Sequence, residues 1–201
     1  MSSSPDGLRE GKRSMTIFGD RIFTIRLQLR RIETEDLALL AEWSNDPQTY
    51  GDYLTPENQS IEQLSVQLQV GVLWTECNKT FLIELRDGMP IGSIHYWIRP
   101  EEPGTAVIAV RIARPEFRSK GYGTEVQKYL ILFLFNRLNI RRVEMYTDVN
   151  NIAQQRCLQK LGFELTQALP YADQQVQRIG YLYRLCRKRF GHQPIYHHHY
   201  A

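Results

Sequence analysis

Eight residues, RSKGYGTE at 118–125, bring two glycines, two cations and a small hydroxyl together between an apolar extended segment and a long apolar helix. Glycine lets a ligand approach the backbone closely. The first turn of a helix presents unpaired N–H groups and the positive end of its dipole. A junction of this kind binds anions, and phosphate is its natural guest. Arg114, Arg118 and Lys120 add positive charge around it. The same residues also suit a tight turn with no ligand, so the turn alone leaves both readings open. A dinucleotide fingerprint needs a third glycine at the sixth position of GxGxxG, where this chain has Val126. GKRS at 11–14 is not a Walker motif either: the earlier glycine is missing and Arg13 follows the lysine.

Other reactive side chains are sparse. His95, in the segment IGSIHYWI, has an unperturbed pKa of ~6.5, which suits proton transfer near neutrality. A hydrogen-bonded strand histidine is the plainer alternative. Cys77, Cys157 and Cys186 are far apart, odd in number and without a CxxC pair. They point to neither a zinc site nor a disulfide framework, but to reduced thiols and a cytoplasmic setting. Cys157 falls at helical spacing between Ala153 and Leu161 and reads as a core thiol. His192 and His197–His199 read as tail residues, so no metal site is expected. Arg184, Arg187, Lys188 and Arg189 read as a solvated basic end.

The elements that must position these groups follow from periodicity. FTIRLQLRRI (23–32) alternates as a strand, and Thr34 is placed to cap a helix that Asn45-Asp46-Pro47 ends. A second helix is predicted over about 60–76. Strands at 81–85 and 91–98 flank the Asp87-Gly88 turn, and a third covers 105–113. A helix over about 123–138 is apolar on nearly every side. A strand at 141–149, a short helix at 151–161 stopped by Gly162, and strands near 163–166 and 177–185 complete the order. This predicts an α/β protein with a mixed, mostly antiparallel sheet and helices on both faces. Residues 1–21 read as a flexible extension, 22–186 as one domain and 187–201 as a tail.

With 201 residues, 42% hydrophobic and 23% charged, the chain is long enough and apolar enough for one packed domain. A net charge of +3, with no basic stripe interleaved with aromatics, argues against a nucleic-acid partner. No apolar window reaches a membrane span, and MSSSPDGLREGKRS has no apolar core of a secretory signal.

RSKGYG matches the R/Q-x-x-G-x-G/A signature of the GNAT N-acetyltransferase superfamily. IARPEFRSKGYGTE and, downstream, NIAQQRCLQKLGFE (151–164) resemble the branch that contains ribosomal-protein N-terminal acetyltransferases. The resemblance spans about 22–186. It implies acetyl-CoA as acetyl donor, with its pyrophosphate on the backbone from Arg118 through Ser119, Lys120, Gly121, Tyr122 and Gly123 to Thr124. It implies pairing of the cofactor arm with Arg111, Ile112 and Ala113, and a backbone N–H near Ala113 as oxyanion donor. Asn151 matches an asparagine that helps hold the arm; capping the following helix is its other role. The implied acceptor is a primary amine, of a protein N-terminus or a small molecule, attacking directly with both substrates bound. A homodimer stays open.

Three positions depart from the family pattern. The usual glutamate, seven residues before Pro115, is Ile108; the usual tyrosine, seven after Asn151, is Leu158; and a serine three after Asn151 is Gln154. His95 is the replacement base put forward, with Glu84, Tyr96 and Tyr146 behind it. A CoA-binding module without catalysis is the competing reading. Trp43, Tyr50, Tyr53, Trp74 and Trp97 fall in segments that line the acceptor cleft of relatives. The loop 50–60 carries only Asp52 and Glu57 as acids, too few to name the acceptor.

Overall fold

A computed structural model describes residues 17–18, 21–173 and 176–197. The first sixteen residues and His198 and His199 lie outside the described residues. Among the described residues there are nine strands: β1 (Ile17–Phe18), β2 (Arg21–Phe23), β3 (Leu27–Arg31), β4 (Asn78–Leu85), β5 (Pro90–Ile98), β6 (Thr105–Ile112), β7 (Arg142–Asp148), β8 (Glu164–Asp173) and β9 (Val176–Cys186). They form one sheet in the order β1-β2-β3-β4-β5-β6-β7-β9-β8. Every neighbouring pair is antiparallel except β6–β7.

Each face of the sheet has its own apolar core. On one face lies α4 (Tyr122–Asn136), whose Val126, Leu130 and Leu134 pack on Leu27, Ile83, Ile94 and Ile108. On the other lie α1 (Leu37–Asn45) and α3 (Ile61–Gln69), which close Leu37, Leu40, Trp43 and Leu64 over Ile32, Leu82 and Ala113. Strand alternation sorts side chains between these cores: on β5, Ile94 and Tyr96 face α4, while Ser93, His95 and Trp97 face the α1/α3 side.

The parallel pair creates the main irregularity. Register between β6 and β7 exists only from Thr105–Arg142 to Val107–Glu144. Beyond Val107 the two strands separate, and the second half of β6 has a sheet partner on the β5 side alone. A wedge-shaped gap therefore opens in the middle of the sheet. It points at the turn that leads into α4.

Several boundaries differ from the sequence reading. Residues 34–36 form a 3-10 turn ahead of α1, and Asp36, not Thr34, accepts the leading N–H, from Glu33 at 2.8 Å. A short α2 (Pro47–Tyr50) follows α1, with Asp46 accepting from the Gln48 N–H at 2.9 Å. α3 stops at Gln69 because Gly71 takes a left-handed conformation (φ 76°). β8 and β9 are a long hairpin. α5 (Ile152–Lys160) ends at Gly162 (φ 83°), as expected.

The larger correction concerns the C-terminus, which does not behave as a tail through residue 197. α6 (Arg187–His192) and a 3-10 turn at Pro194–Tyr196 pack on the domain. Phe190 stacks on Phe135 at 4.3 Å, and Tyr196 is buried with its hydroxyl donating to the Leu161 carbonyl at 2.8 Å. Arg187 donates to the carbonyls of Phe135 and Ile140, closing the open end of α4. Three of the four basic residues there bond the domain: Arg184 pairs with Glu144, Arg187 with those carbonyls, and Arg189 with Gly162 and Glu164. The basic cluster concealed two aromatic anchors in the same segment.

Candidate active site

The turn preceding α4 is built to leave donors unused. Pro115–Phe117 form a 3-10 turn, and the Arg118 N–H closes it by donating to the Pro115 carbonyl at 3.0 Å. The next six N–H groups, Ser119 to Thr124, donate to no carbonyl or side chain among the described residues; the first helical bond comes from Glu125 to Gly121. Ser119 (φ 58°) and Gly121 (φ 82°) are both left-handed, which turns successive N–H groups to one side. A Cβ on Gly123 would meet nothing within 4 Å, so that glycine leaves open approach to the backbone. The turn is anchored from behind. Glu125 accepts from Thr24 Oγ1 (2.6 Å), the Arg26 N–H (2.8 Å) and Arg26 Nε (2.6 Å). Burial pushes the Glu125 carboxyl up, but those donors outweigh it and hold it below its ordinary value.

Arg118 does something the sequence did not announce. Its side chain donates to the carbonyls of Ile112 (2.9 Å) and Ala113 (3.2 Å) at the end of β6, and to those of Gln48 (2.6 Å) and Thr49 (3.0 Å) on α2. With its N–H also spent, Arg118 is a clamp between two segments and not part of the donor row. The N–H groups left without an acceptor are those of Ser119, Lys120, Gly121, Tyr122, Gly123 and Thr124.

The gap between β6 and β7 supplies a second row. Ala113 donates its N–H to the Ile91 carbonyl at 2.9 Å, so it is engaged and does not serve as oxyanion donor. In an antiparallel pair, successive residues alternate between facing the partner and facing away. Since Ala113 faces β5, Arg111 does too, and the N–H groups of Val110 and Ile112 point into the gap. These two, not Arg111 and Ala113, are placed to meet an extended arm lying between the strands. Asn151 stands across the gap, its Oδ1 accepting from the Gln154 N–H (3.1 Å) as the cap of α5; its Nδ2 has no acceptor among the described residues.

A cavity of about 400 Å³ joins these parts, lined among others by Tyr50, Val110, Ile112, Ser119, Gly123 and Asn151. Cys157 opens onto it and bonds Thr124 Oγ1 and Gln127 Nε2, both at 3.2 Å. Burial pushes its thiol pKa up, which disfavours the thiolate. Gln154 lines the cavity as well, with its Nε2 donating to Gln127 Oε1 at 2.8 Å. Leu158 and Ile108 are fully buried core residues, so the two usual acid/base positions are filled with hydrocarbon.

A second cavity, of about 480 Å³, lies between the α1/α3 layer and β4–β5. Leu40, Leu64, Leu73 and Trp97 give it apolar walls; Ser44, Gln59, Thr80 and Ser93 are among its polar groups. His95 lines it, stacked on Trp97 at 5.0 Å. Burial, with the positive Arg111 nearby, pushes its pKa down to about 4, so the imidazole is neutral at physiological pH. The other candidate bases are committed elsewhere. Glu84 is held by Arg30 and Gln28, Tyr146 accepts from Arg99, and burial pushes the Tyr96 hydroxyl up to about 12. Of the five aromatics, Trp97 lines this cavity and Tyr50 and Tyr53 the first; Trp43 is core, and Trp74 packs edge-on against Phe81. Among the described residues, Arg111 is the one shared by both cavity walls.

A turn with six unpaired N–H groups, an opened parallel strand pair and a cavity on the opposite side of β6 are the parts of an acyl-transfer fold. Residues 26–164 match the family model described as the acetyltransferase (GNAT) domain, and the chain belongs to that family. It is an N-acetyltransferase that transfers an acetyl group from acetyl-CoA to an amine. An uncharacterised N-acetyltransferase, YoaA of Bacillus subtilis, is 31% identical over 153 residues, spanning 70% of this chain and 81% of the relative. Aminoglycoside N(6')-acetyltransferase type 1 of Klebsiella pneumoniae is 27% identical over 150 residues, spanning 68% and 73%. Among solved structures, AAC(6')-Ib with ribostamycin and coenzyme A superimposes with a TM-score of 0.71 at 24% identity, over 84% of this chain and 98% of that one. RimL, the ribosomal L7/L12 alpha-N-protein acetyltransferase, with coenzyme A, gives 0.70 at 18%, over 81% and 95%. No helix among the described residues is long and apolar enough to cross a membrane, and none of their His, Cys, Asp and Glu side chains cluster as a metal site.

Proposed function

We propose that the six free N–H groups from Ser119 to Thr124 hold the pyrophosphate of acetyl-CoA, that its arm lies in the β6–β7 gap, and that the acceptor amine enters from the His95 cavity. The observation that carries this is the unbroken row of unpaired donors, of which Ser119, Gly121, Gly123 and Thr124 line one cavity. Ser119, Lys120 and Gly121 are exposed and Tyr122, Gly123 and Thr124 half-buried, so the row stands open at the start of a helix, where unpaired N–H groups favour an anion. The acetyl donor supplies an activated acyl group. The N–H groups of Val110 and Ile112 orient the arm, and the inner one stabilises negative charge that develops on the thioester oxygen. Asn151 Nδ2 offers a further donor across the gap.

His95 accepts the proton that the attacking amine sheds. A pKa of about 4 is too low to strip an ordinary ammonium, so the acceptor arrives as free amine. Once the nitrogen has bonded to carbon its protons become far more acidic, and a neutral imidazole at the cavity wall then suffices. The reaction runs in the cytoplasm, with no nucleic-acid partner. Coenzyme A soaked into crystals, with thiol release followed across primary amines, tests the assignment. The expected result is pyrophosphate on residues 119–124 and turnover with at least one amine. Pyrophosphate bound elsewhere rejects it.

A further inference from the structure

The second cavity holds an unusual guanidinium. Arg111 projects from β6 onto the acceptor side, four-fifths buried, and stacks its guanidinium on the Tyr50 ring at 4.4 Å. Its Nε is fully enclosed and has no hydrogen-bond partner, and among the described residues its side chain donates no hydrogen bond. The nearest carboxylate oxygen, from Glu57, is 3.9 Å away, beyond hydrogen-bond reach, and Glu57 is 42% exposed at the cavity rim. Arginine offers five donors in a planar fork. Leaving them unpaired in a partly buried place is destabilising unless something else supplies oxygen atoms.

The remaining walls restrict what that is. Among the described residues, Glu57 is the only carboxylate lining this cavity, and Asp52 the only one lining the cofactor cavity. A polycationic acceptor would meet one rim carboxylate already facing a cation. An anion would meet the free fork, a neutral His95 and apolar walls.

We infer that Arg111 reads a carboxylate on the acceptor: the substrate class is an apolar amine carrying a carboxylate a few bonds from the reacting nitrogen, as in an amino acid or a peptide N-terminus with an acidic residue. This rests on the acetyltransferase reading above and goes further in naming what the acceptor carries. Tyr50 fixes the plane of the fork, and Glu57 is the weak placeholder that the incoming carboxylate displaces. Bidentate pairing suits this geometry, which a lysine would not reproduce.

The test uses matched pairs of amines: apolar amino acids against their carboxamides, and short peptides with Asp or Glu at the second position against Asn or Gln. Binding to the full chain saturated with coenzyme A is measured by calorimetry, and thiol release from acetyl-CoA in parallel. The carboxylate member binds at least about tenfold more tightly in one or more pairs, the scale of one charge-assisted contact. Arg111→Gln brings the pair within about twofold, Arg111→Lys restores only part of the difference, and coenzyme A affinity stays unchanged in both. Glu57→Gln strengthens carboxylate binding a few-fold. Equal binding across every pair, no binding of any, tighter binding of an aminoglycoside such as kanamycin, or loss of coenzyme A affinity in Arg111→Gln overturns the inference. Turnover without carboxylate preference rejects this inference and leaves the transferase reading intact. Preference in binding with no thiol release for any amine does the reverse.

Discussion

The two walls of the site are made of different material. The cofactor wall is backbone: six N–H groups in one stretch, 119–124, and two more from Val110 and Ile112. The acceptor wall is side chains, drawn from between Ile32 and Arg111 on α1, α3, β4, β5 and β6. A wall of backbone leaves a trace in sequence, because only certain residues permit the conformation. Gly121 at φ 82° is such a position. A wall of side chains leaves none, because Ser93, Thr80 or Leu64 would be unremarkable in any strand or helix.

The sharpest way to separate the walls is to block the first and leave the second standing. Gly123 has room for a side chain within the protein, so Gly123→Val should keep the fold; valine in a helix is less favourable than alanine by no more than ~0.7 kcal/mol. The space it fills is the space the proposed phosphate would take. Acetyl-CoA affinity should fall by roughly a hundredfold, a figure set by losing two or so charge-assisted contacts. Acceptor binding measured alone should not change. A Gly123→Val protein that binds coenzyme A normally would remove the turn from the site.

Arg118 ties α2 to the end of β6 beside the cofactor wall, and cutting it tests whether the acceptor wall depends on that tie. Its bonds hold Ile112 and Ala113 on one side and Gln48 and Thr49 on the other. A hydrogen bond to a charged donor contributes about 1.5–3 kcal/mol. Arg118→Ala should therefore lower kcat/KM by roughly thirtyfold, raising KM for both substrates, where Gly123→Val raises one. Arg118→Lys should rescue little, since a single ammonium cannot reach four carbonyls. An effect on acetyl-CoA alone would return Arg118 to the phosphate set.

The fold order was legible from periodicity, and the turn from its glycines, because both are local properties. Three things were not. Strand parity decided that Val110 and Ile112, and not Ala113, face the gap; a shift of one residue exchanges the two sets, and only pairing with Ile91 fixes it. Arg118 looked like a phosphate ligand because basic residues near a glycine turn invite that reading; its carbonyl partners on α2 lie 69 and 70 residues away. The C-terminal segment looked solvated because four cations outweighed Phe190 and Tyr196 in composition, although those two rings pack on each other at 4.6 Å and on the core. His95 was legible as a candidate, but its depressed pKa was not, since burial and Arg111 reach it through the fold.

Within the acceptor wall, His95→Ala should reduce kcat at least about tenfold, the low side of what a proton-transfer group contributes, with acetyl-CoA KM unchanged. Because the imidazole is already neutral above pH 6, the wild-type rate should show no limb near 6.5; it should rise with pH as the acceptor amine loses its proton. An unchanged kcat removes His95 from the chemistry.

The smallest effect separates the walls by stability instead of rate. His95 titrates near 6.5 in the unfolded chain and near 4 when folded. The unfolded state therefore takes up a proton that the folded state refuses, so stability is full above pH 6.5 and falls as pH drops toward 4. Between pH 7.5 and 5.5 the loss from this one group is about 1 kcal/mol, at ~1.36 kcal/mol per unit once titration is under way. Glu125, behind the cofactor turn, has a folded pKa held below that of an ordinary carboxyl, so its own loss begins only in the carboxylate range, at lower pH. Denaturant midpoints at the two pH values should thus differ in the wild type, and His95→Gln should remove most of that difference while leaving the steeper fall below pH 4.5 in place. If His95→Gln keeps the full slope between 7.5 and 5.5, the imidazole is not enclosed as the acceptor cavity requires.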